Sequence, residues 1–229
     1  MGITIFAWGR IDRIEDIGRL IEDVKGIAEQ NNWTYRIIDD GFAARPNAVL
    51  TRSARDDKAA VIKGSLGLKG IIINPEPGSE PLSILFDRSG VLTDLMQQLS
   101  WIHSNGQGER FTMCKTQFAG IDTHIQMIEL LANLKERYIA NLTVNDEGAY
   151  WETRDRRILA EKRVALGHYL RHVERVLGNI EPSGDETQNP EALADRIEQA
   201  LLKAEHPFAG DKRGEKGNQQ EGDGREDGA

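Results

Sequence analysis

The segment KTQFAGIDTH, residues 115–124, brings several side chains that could do chemistry close together in the chain. A histidine beside carboxylates can serve as a general base, or it can bind a divalent metal together with oxygen ligands. Lys115 could instead hold a phosphate or a carboxylate at the start of a helix. A cation site requires Lys115 to turn away, whereas an anion site requires the acids to turn away. The sequence leaves both hypotheses open.

The standard catalytic motifs are absent from the sequence. It contains no H-E-x-x-H helix, no G-x-S-x-G turn and no G-x-x-x-x-G-K loop. His168 and His172 have the i,i+4 spacing of a metal-binding pair, but Tyr169 stands where the zinc-protease motif has glutamate. Both histidines fall opposite the apolar stripe of their predicted helix, so we interpret them as surface residues.

Two strand–helix–strand patterns must position these side chains. FTMCKT, residues 111–116, and ANLTVND, residues 140–146, have the composition of strands. Between them, apolar residues recur at helical spacing over Ile121–Tyr138. The same order occurs earlier, where a strand over Ile3–Trp8 precedes a helix over Arg13–Asn31 and a second strand, WTYRIID. Such units usually join parallel strands through a right-handed crossover.

The topology of the second unit predicts where a site would lie. In a parallel unit, the carboxyl ends of the strands and the amino end of the helix share one edge of the sheet, where open α/β sheets usually bind ligands. The candidate catalytic residues at this edge are His124 and Glu147, the candidate ligand-binding residues are Lys115, Thr116, Gln117 and Trp151, and the candidate metal ligands are His124, Asp146 and Glu147. The sequence does not determine a cofactor, although a divalent metal would suit these ligands.

Simpler structural roles compete with these assignments. Asp122 could be the N-cap of the helix, because aspartate is strongly preferred there. His124 falls on the apolar stripe with Met127, so it should face inward and could be a neutral histidine hydrogen-bonded under the loop. Trp151 could be part of a hydrophobic lid over the sheet. The single cysteine, Cys114, lies within a strand-like run and is interpreted as a small buried hydrophobe.

The middle third of the chain predicts antiparallel hairpins. Short β-type runs alternate there with glycine, proline and charged residues. The glycines of GSLGLKG, residues 64–70, indicate a bulged connection rather than a phosphate-binding loop. A third helix, about Arg154–Leu177, should close the domain. The predicted fold is α+β, with a mixed β-sheet built from two β-α-β units that flank a hairpin-rich middle, and with helices mainly on one face.

A C-terminal helical appendage should follow a single α+β domain at residues 1–178. The composition of residues 179–188 indicates a linker. Asn189 and Pro190 favour a helix start, and apolar residues at helical spacing make residues 189–205 a predicted amphipathic helix. Residues 206–229, rich in glycine and mixed charge, should form a disordered polar tail.

Composition limits the kind of partner. The chain of 229 residues has a net charge of −8 and a sequence pI near 5.2, so its average surface repels nucleic acids and anionic membranes. It has no apolar run of membrane-spanning length and no recognisable leader. We therefore expect a cytoplasmic protein that binds neither membranes nor nucleic acids. The arginine-rich stretch from Arg154 to Arg175 is typical of a solvated helix face, with docking of an acidic partner as the second interpretation.

Two functional hypotheses follow. The first is a non-enzymatic binding or regulatory protein that docks on a protein partner, or on a second copy in a homo-oligomer, through residues 189–205, because a short helix gains stability by packing. The second is a small metal-dependent or acid-base hydrolase with its site around His124. The sequence does not decide whether the protein is an enzyme, and it identifies no small-molecule ligand. It favours binding, because a catalytic mechanism needs nucleophile, base and stabiliser roles that only candidates fill.

Overall fold

Strands and helices are mixed along the described part of the chain in the way that defines the α+β class. The computed structural model describes residues 3–42, 45–52 and 60–178. The strands are β1 (Thr4–Trp8), β2 (Thr34–Asp39), β3 (Val49–Arg52), β4 (Ala60–Lys63), β5 (Lys69–Asn74), β6 (Leu82–Phe86), β7 (Leu92–Thr93), β8 (Thr112–Lys115) and β9 (Thr143–Asp146). The helices are α1 (Ile17–Gln30), α2 (Leu95–His103), α3 (Ile121–Arg137), α4 (Tyr150–Thr153) and α5 (Arg156–Gly178), with a 3₁₀ turn at Ile14–Asp16. The predicted α+β class is confirmed.

The candidate site belongs to a three-stranded sheet with the order β8-β1-β9. Both β8 and β9 pair antiparallel with β1, so they run parallel to each other with β1 between them. Together with α3 they form a split β-α-β unit. The carboxyl ends of β8 and β9 therefore lie at the same edge of this sheet, on either side of the start of β1.

The pairing of strands differs from the prediction of adjacent parallel strands. All strand pairings among the described residues are antiparallel. β1 and β2, which were expected to be parallel neighbours, lie in different sheets, and β2 pairs with β5 instead. The periodicity of the sequence indicates the order of strand and helix but not the partner of each strand. In the central position, β1 has its backbone groups satisfied on both sides, which an edge strand cannot achieve.

The middle of the chain forms the predicted antiparallel hairpins. A four-stranded sheet has the order β2-β5-β6-β7, and β3 and β4 form a separate two-stranded sheet. Gly70 pairs with Leu85 of β6, and its φ of 152° lies in a region that favours glycine. A Cβ atom at Gly70 would lie 2.1 Å from the carbonyl oxygen of Ile84. Part of the glycine spacing in residues 64–70 is thus explained by close approach of two strands.

Buried side chains cover both faces of the four-stranded sheet. Helices α1 and α3 share the largest core cluster with one face, where Leu20, Ile71 and Met127 are fully buried. Helix α2 covers the other face through Leu99, which clusters with Leu85. A third, smaller cluster joins Ile3 with Leu159 and Leu166. The apolar stripes predicted for the first two long helices of the chain are the faces that become buried.

Two compact units are separated within α5, Met1–Leu166 and Gly167–Ala229, and the second is described only as far as Gly178. The predicted linker, amphipathic helix and polar tail all lie outside the described residues. Within residues 3–42, 45–52 and 60–178, no helix has both the length and the apolar character needed to cross a membrane.

Candidate functional site

The edge predicted from the sequence gathers some of the candidate residues. Lys115, at the end of β8, is opposite Thr4, and Asp146, at the end of β9, is opposite Ile5. Helix α3 begins at the same edge, and the first turn of that helix carries His124. The split β-α-β unit therefore produces the convergence that was expected from adjacent parallel strands.

His124 connects two other side chains in the protein interior. Its Nδ1 atom lies 2.7 Å from the hydroxyl of Thr116. Its Nε2 atom lies 3.1 Å from Oδ1 of Asp146, although off the direction of a hydrogen bond, so this contact is mainly electrostatic. One ring nitrogen therefore faces a hydroxyl and the other faces a carboxylate. The side chains of His124 and Asp146 are both 0% exposed.

Asp146 organises the turn that follows β9. Its carboxylate accepts hydrogen bonds from the backbone N–H groups of Gly148 at 2.7 Å, Tyr150 at 2.7 Å and Trp151 at 2.9 Å. Burial opposes its ionisation, but the contact with His124 and the backbone donors outweigh burial and lower the pKa of Asp146. The carboxylate is therefore charged in the folded protein and fixes the start of α4.

The loop between β8 and α3 is held from two sides. Glu76 accepts from the backbone N–H of Gly120 at 2.7 Å and from the hydroxyl of Thr123, and these hydrogen bonds lower its pKa. Arg163 of α5 donates to the carbonyl oxygen of Thr116 at 3.1 Å and also to that of Ala119. The loop is thus clasped by a carboxylate and a guanidinium that are distant from it in the sequence.

The predicted N-cap of α3 is wrong. The N-cap is Gly120, and Asp122 lies inside the first turn, where it pairs with Arg156 on the surface. Glu76 supplies the carboxylate that a capping aspartate would have supplied, because it reaches the free N–H of Gly120 from another part of the chain. The local sequence therefore predicted that a carboxylate caps the start of α3, but it did not identify Glu76 as the residue that provides it.

Glu147 does not join the cluster around His124. It is exposed, and its carboxylate accepts from the backbone N–H of Thr4 at 2.8 Å. β9 ends at Asp146, and Glu147 belongs to the turn that follows, where its carboxylate is held away from the imidazole by this hydrogen bond. Among the described residues, no three side chains of the types His, Cys, Asp and Glu are grouped so that they could hold a metal ion. The expected metal set of His124, Asp146 and Glu147 is therefore not assembled.

The remaining candidates surround the edge without entering the cluster. Lys115 and Gln117 are partly exposed, and the backbone N–H of Lys115 donates to Glu80 at 3.3 Å. Trp151 packs against the main core, and the guanidinium of Arg154 lies 5.1 Å from the centre of its ring. Cys114 is fully buried, as predicted, and burial raises the pKa of its thiol to about 11. The edge thus has a closed polar interior and a mixed polar surface.

The order of groups in the buried cluster has a chemical precedent. A hydroxyl, an imidazole and a carboxylate in line are the parts of a nucleophile, a base and a group that orients the base. Thr116 is itself 0% exposed, so its hydroxyl faces protein rather than solvent. In this structure the three side chains stabilise the turn after β9 and the start of α4.

A cavity elsewhere in the N-terminal unit was not predicted from the sequence. It has a volume of about 460 Å³, within the range of small-molecule sites. The residues that line it include Phe42, Arg45, Asp87, Arg88, Trp101 and Asn105. They come from separate loops and from α2, so no local motif marks them. Two of them, Asp87 and Arg88, belong to the segment DRSG, residues 87–90, one of the glycine-containing charged breaks between the β-type runs.

A buried ion pair supports one wall of this cavity. Nη1 of Arg110 lies 2.6 Å from Oδ2 of Asp87 and 3.3 Å from Oε1 of Gln98. The amide of Gln98 also donates to the carbonyl oxygen of Leu66 at 3.0 Å. The guanidinium of Arg110 lies 4.4 Å from the ring centre of Trp101. The wall is therefore a connected set of charge-assisted contacts.

The charge of Asp87 is balanced within this wall. Burial opposes its ionisation, but hydrogen bonds from Arg110, Ser89 and the backbone of Val91 outweigh burial and lower its pKa. Arg45 and Arg88 are exposed and line the same cavity. The lining is therefore positively charged in a protein whose net charge is −8.

Comparison with known proteins gives no match. No family model, no curated protein and no solved structure is similar to the chain at a significant level.

Proposed function

We propose that the chain is a non-enzymatic, cytoplasmic binding or regulatory protein that takes a small molecule in the cavity beside Trp101. The observation that supports this proposal is the combination of a 460 Å³ cavity with a wall whose polar groups are already paired. Such a wall does not need to reorganise when a ligand arrives, and pre-organisation reduces the cost of binding. Protein partners of the predicted helix at 189–205 would then respond to the ligand.

Binding is favoured over catalysis at this cavity by the chemistry of its lining. Among the described residues that line it, Asp87 is the carboxylate, and its charge is engaged by Arg110. The others are arginine, amide, aromatic, aliphatic and glycine residues. These groups recognise and hold a molecule, whereas a hydrolytic mechanism needs a positioned nucleophile and a base.

Tryptophan fluorescence tests whether a ligand enters the cavity. A small-molecule library is screened against the full chain by thermal shift, and each compound that raises the Tm is followed by tryptophan emission. We expect the emission change to disappear in Trp101→Phe while the rise in Tm remains. The matched control is Trp151→Phe, which removes a tryptophan at the edge of β8 and β9. Loss of the emission change in the control alone would place the ligand at that edge and contradict the proposal.

The second candidate function is an acid-base hydrolase at the edge around His124. It is supported by the contacts of both imidazole nitrogens, one with the Thr116 hydroxyl and one with the Asp146 carboxylate. Its catalytic candidate, His124, would need a substrate to displace the loop at residues 116–120. On this hypothesis, sugar phosphates raise the Tm, and His124→Ala and Asp146→Asn abolish that rise. The absence of any such rise in the unchanged protein would reject it.

A further inference from the structure

The charge and shape of the cavity beside Trp101 limit the class of ligand that it can take. Asp87 is neutralised by Arg110 at 2.6 Å, whereas Arg45 and Arg88 form no ion pair with any residue that the structure describes. A guanidinium presents paired N–H donors that match the oxygens of a phosphate or a carboxylate. The ionic part of the ligand is therefore an anion.

The same lining provides a place for a planar group. Trp101 and Phe42 supply the aromatic side chains of the lining. One guanidinium, that of Arg110, already lies over the ring of Trp101 and holds its orientation. Aromatic side chains held in this way are surfaces on which a heterocyclic ring can stack.

The polar groups of the wall also indicate which hydrogen-bonding groups are available to a ligand. The amide of Gln98 is committed to Arg110 and to the backbone of Leu66. Asn105 is exposed at the rim of the cavity, so its amide is accessible to heteroatoms of a ring. The volume of about 460 Å³ exceeds what an isolated phosphate ion fills and lies within the range of drug-sized ligands.

We infer that the ligand is a phosphate ester that carries a planar ring, of the nucleoside monophosphate class. Its phosphate lies toward Arg45 and Arg88, and its ring lies against Trp101 and Phe42. This inference rests on the proposed binding function and narrows it to one substrate class. It is compatible with the acidic surface, because a single small nucleotide has far less charge to desolvate and repel than a nucleic acid strand.

Isothermal titration of the full chain tests the anion and the ring separately. The probes are adenosine, guanosine, cytidine and uridine monophosphates, the four uncharged nucleosides, and inorganic phosphate. We expect at least one monophosphate to bind about tenfold or more tightly than its nucleoside and than inorganic phosphate, since each lacks one of the two contacts. Equal affinity for a nucleoside and its monophosphate would overturn the inference.

Reversing the charge of an arginine that lines the cavity provides a second test of the inference. Arg88→Glu should weaken binding of the monophosphate by about tenfold or more and leave binding of the nucleoside unchanged, because the variant acts on the anion alone. The matched control is Arg36→Glu, which reverses an exposed arginine on β2 outside the lining. An unchanged affinity in Arg88→Glu, or an equal loss in the control, would contradict the assignment of the phosphate to the cavity.

The outcome also separates this inference from the function on which it rests. If an uncharged compound from the library changes the emission of Trp101 and no monophosphate binds, the binding function stands and the nucleotide class is wrong. If no compound of either kind binds with a change in Trp101 emission, both are wrong.

Discussion

At the scale of single residues, the cluster around His124 is closed to solvent, since the side chains of His124 and Asp146 are both 0% exposed. Helical spacing in the sequence predicted the inward direction of His124. The pairing of His124 with Thr116, and the capping of Gly120 by Glu76, depend on contacts between distant parts of the chain. Such contacts follow from the tertiary fold, which periodicity does not encode.

The packing around His124 predicts that Gly148 does not tolerate a side chain. A Cβ atom there would lie 2.7 Å from Cδ1 of Leu159, 2.9 Å from Nε2 of His124 and 2.9 Å from Oδ1 of Asp146. Gly148→Ala should therefore lower the free energy of unfolding by about 1–3 kcal/mol, the usual cost of overpacking, as measured by urea denaturation. Gly26→Ala is the matched control, since its Cβ would meet open space in α1. There we expect a gain of about 0.5–1 kcal/mol.

Two aspartates with opposite pKa shifts predict opposite effects of pH on stability. The pKa of Asp87 is lowered, so its contribution is present above the unfolded value of about 3.9 and is lost as the pH falls through the folded value. The excess stability of the unchanged protein over Asp87→Asn should shrink between about pH 5 and pH 2. At neutral pH the same variant should lose about 3 kcal/mol, because it leaves Arg110 without its anion.

Asp94 provides the control of opposite sign for this experiment. Burial raises its pKa despite hydrogen bonds from the backbone of Met96 and Gln97. The stability of the unchanged protein relative to Asp94→Asn should therefore increase as the pH falls through the raised folded value toward the unfolded value of about 3.9. Asparagine is also a good N-cap, so α2 should remain intact in this variant. Parallel pH profiles for the two variants would contradict the assigned shifts.

At the scale of elements, the sequence predicted the order of strands and helices better than their pairing. The strand–α3–strand order around residues 115–124 was correct, and it placed the carboxyl ends of β8 and β9 at one edge. The insertion of β1 between them was not predictable, because β1 lies more than a hundred residues away in the sequence. The cavity was not predictable either, since the residues that line it come from separate loops and from α2 and share no sequence pattern.

The clasped loop before α3 should open when its guanidinium is removed. Arg163→Met deletes the donors to the carbonyl oxygens of Thr116 and Ala119 while keeping an aliphatic chain in place. We expect amide hydrogen exchange of residues 116–120 to become about tenfold faster, since lost hydrogen bonds to a charged group weaken local stability by about 1–3 kcal/mol. Arg157→Met on the same helix is the control, because Arg157 pairs with Asp155 on the surface. Equal exchange in the loop for both variants would contradict the clasp.

At the scale of the whole molecule, charge is distributed unevenly between surface and cavity. The chain has a net charge of −8, yet two exposed arginines line the cavity beside Trp101. Composition gave the average charge of the protein, but it could not reveal that the cavity lining has the opposite sign. That local positive charge arises because Asp87 is neutralised by Arg110 in the folded protein. An acidic surface with one cationic cavity favours a small anion over an extended polyanion.

Truncation after Gly178 tests whether the predicted amphipathic helix at residues 189–205 docks on a partner. A helix of this length is marginal in water and gains stability when its apolar face is covered. We expect the shortened chain to lose from its far-UV circular dichroism only the helical signal of residues 189–205 and to keep its ligand response. It should lose either a captured protein partner or self-association, measured by affinity capture and light scattering. The matched variant is the full chain with Leu193→Ser and Leu201→Ser, which keeps the length and removes the apolar stripe. If truncation changes neither partner capture, oligomeric state nor Tm, the helix does not dock and the regulatory part of the proposed function is wrong.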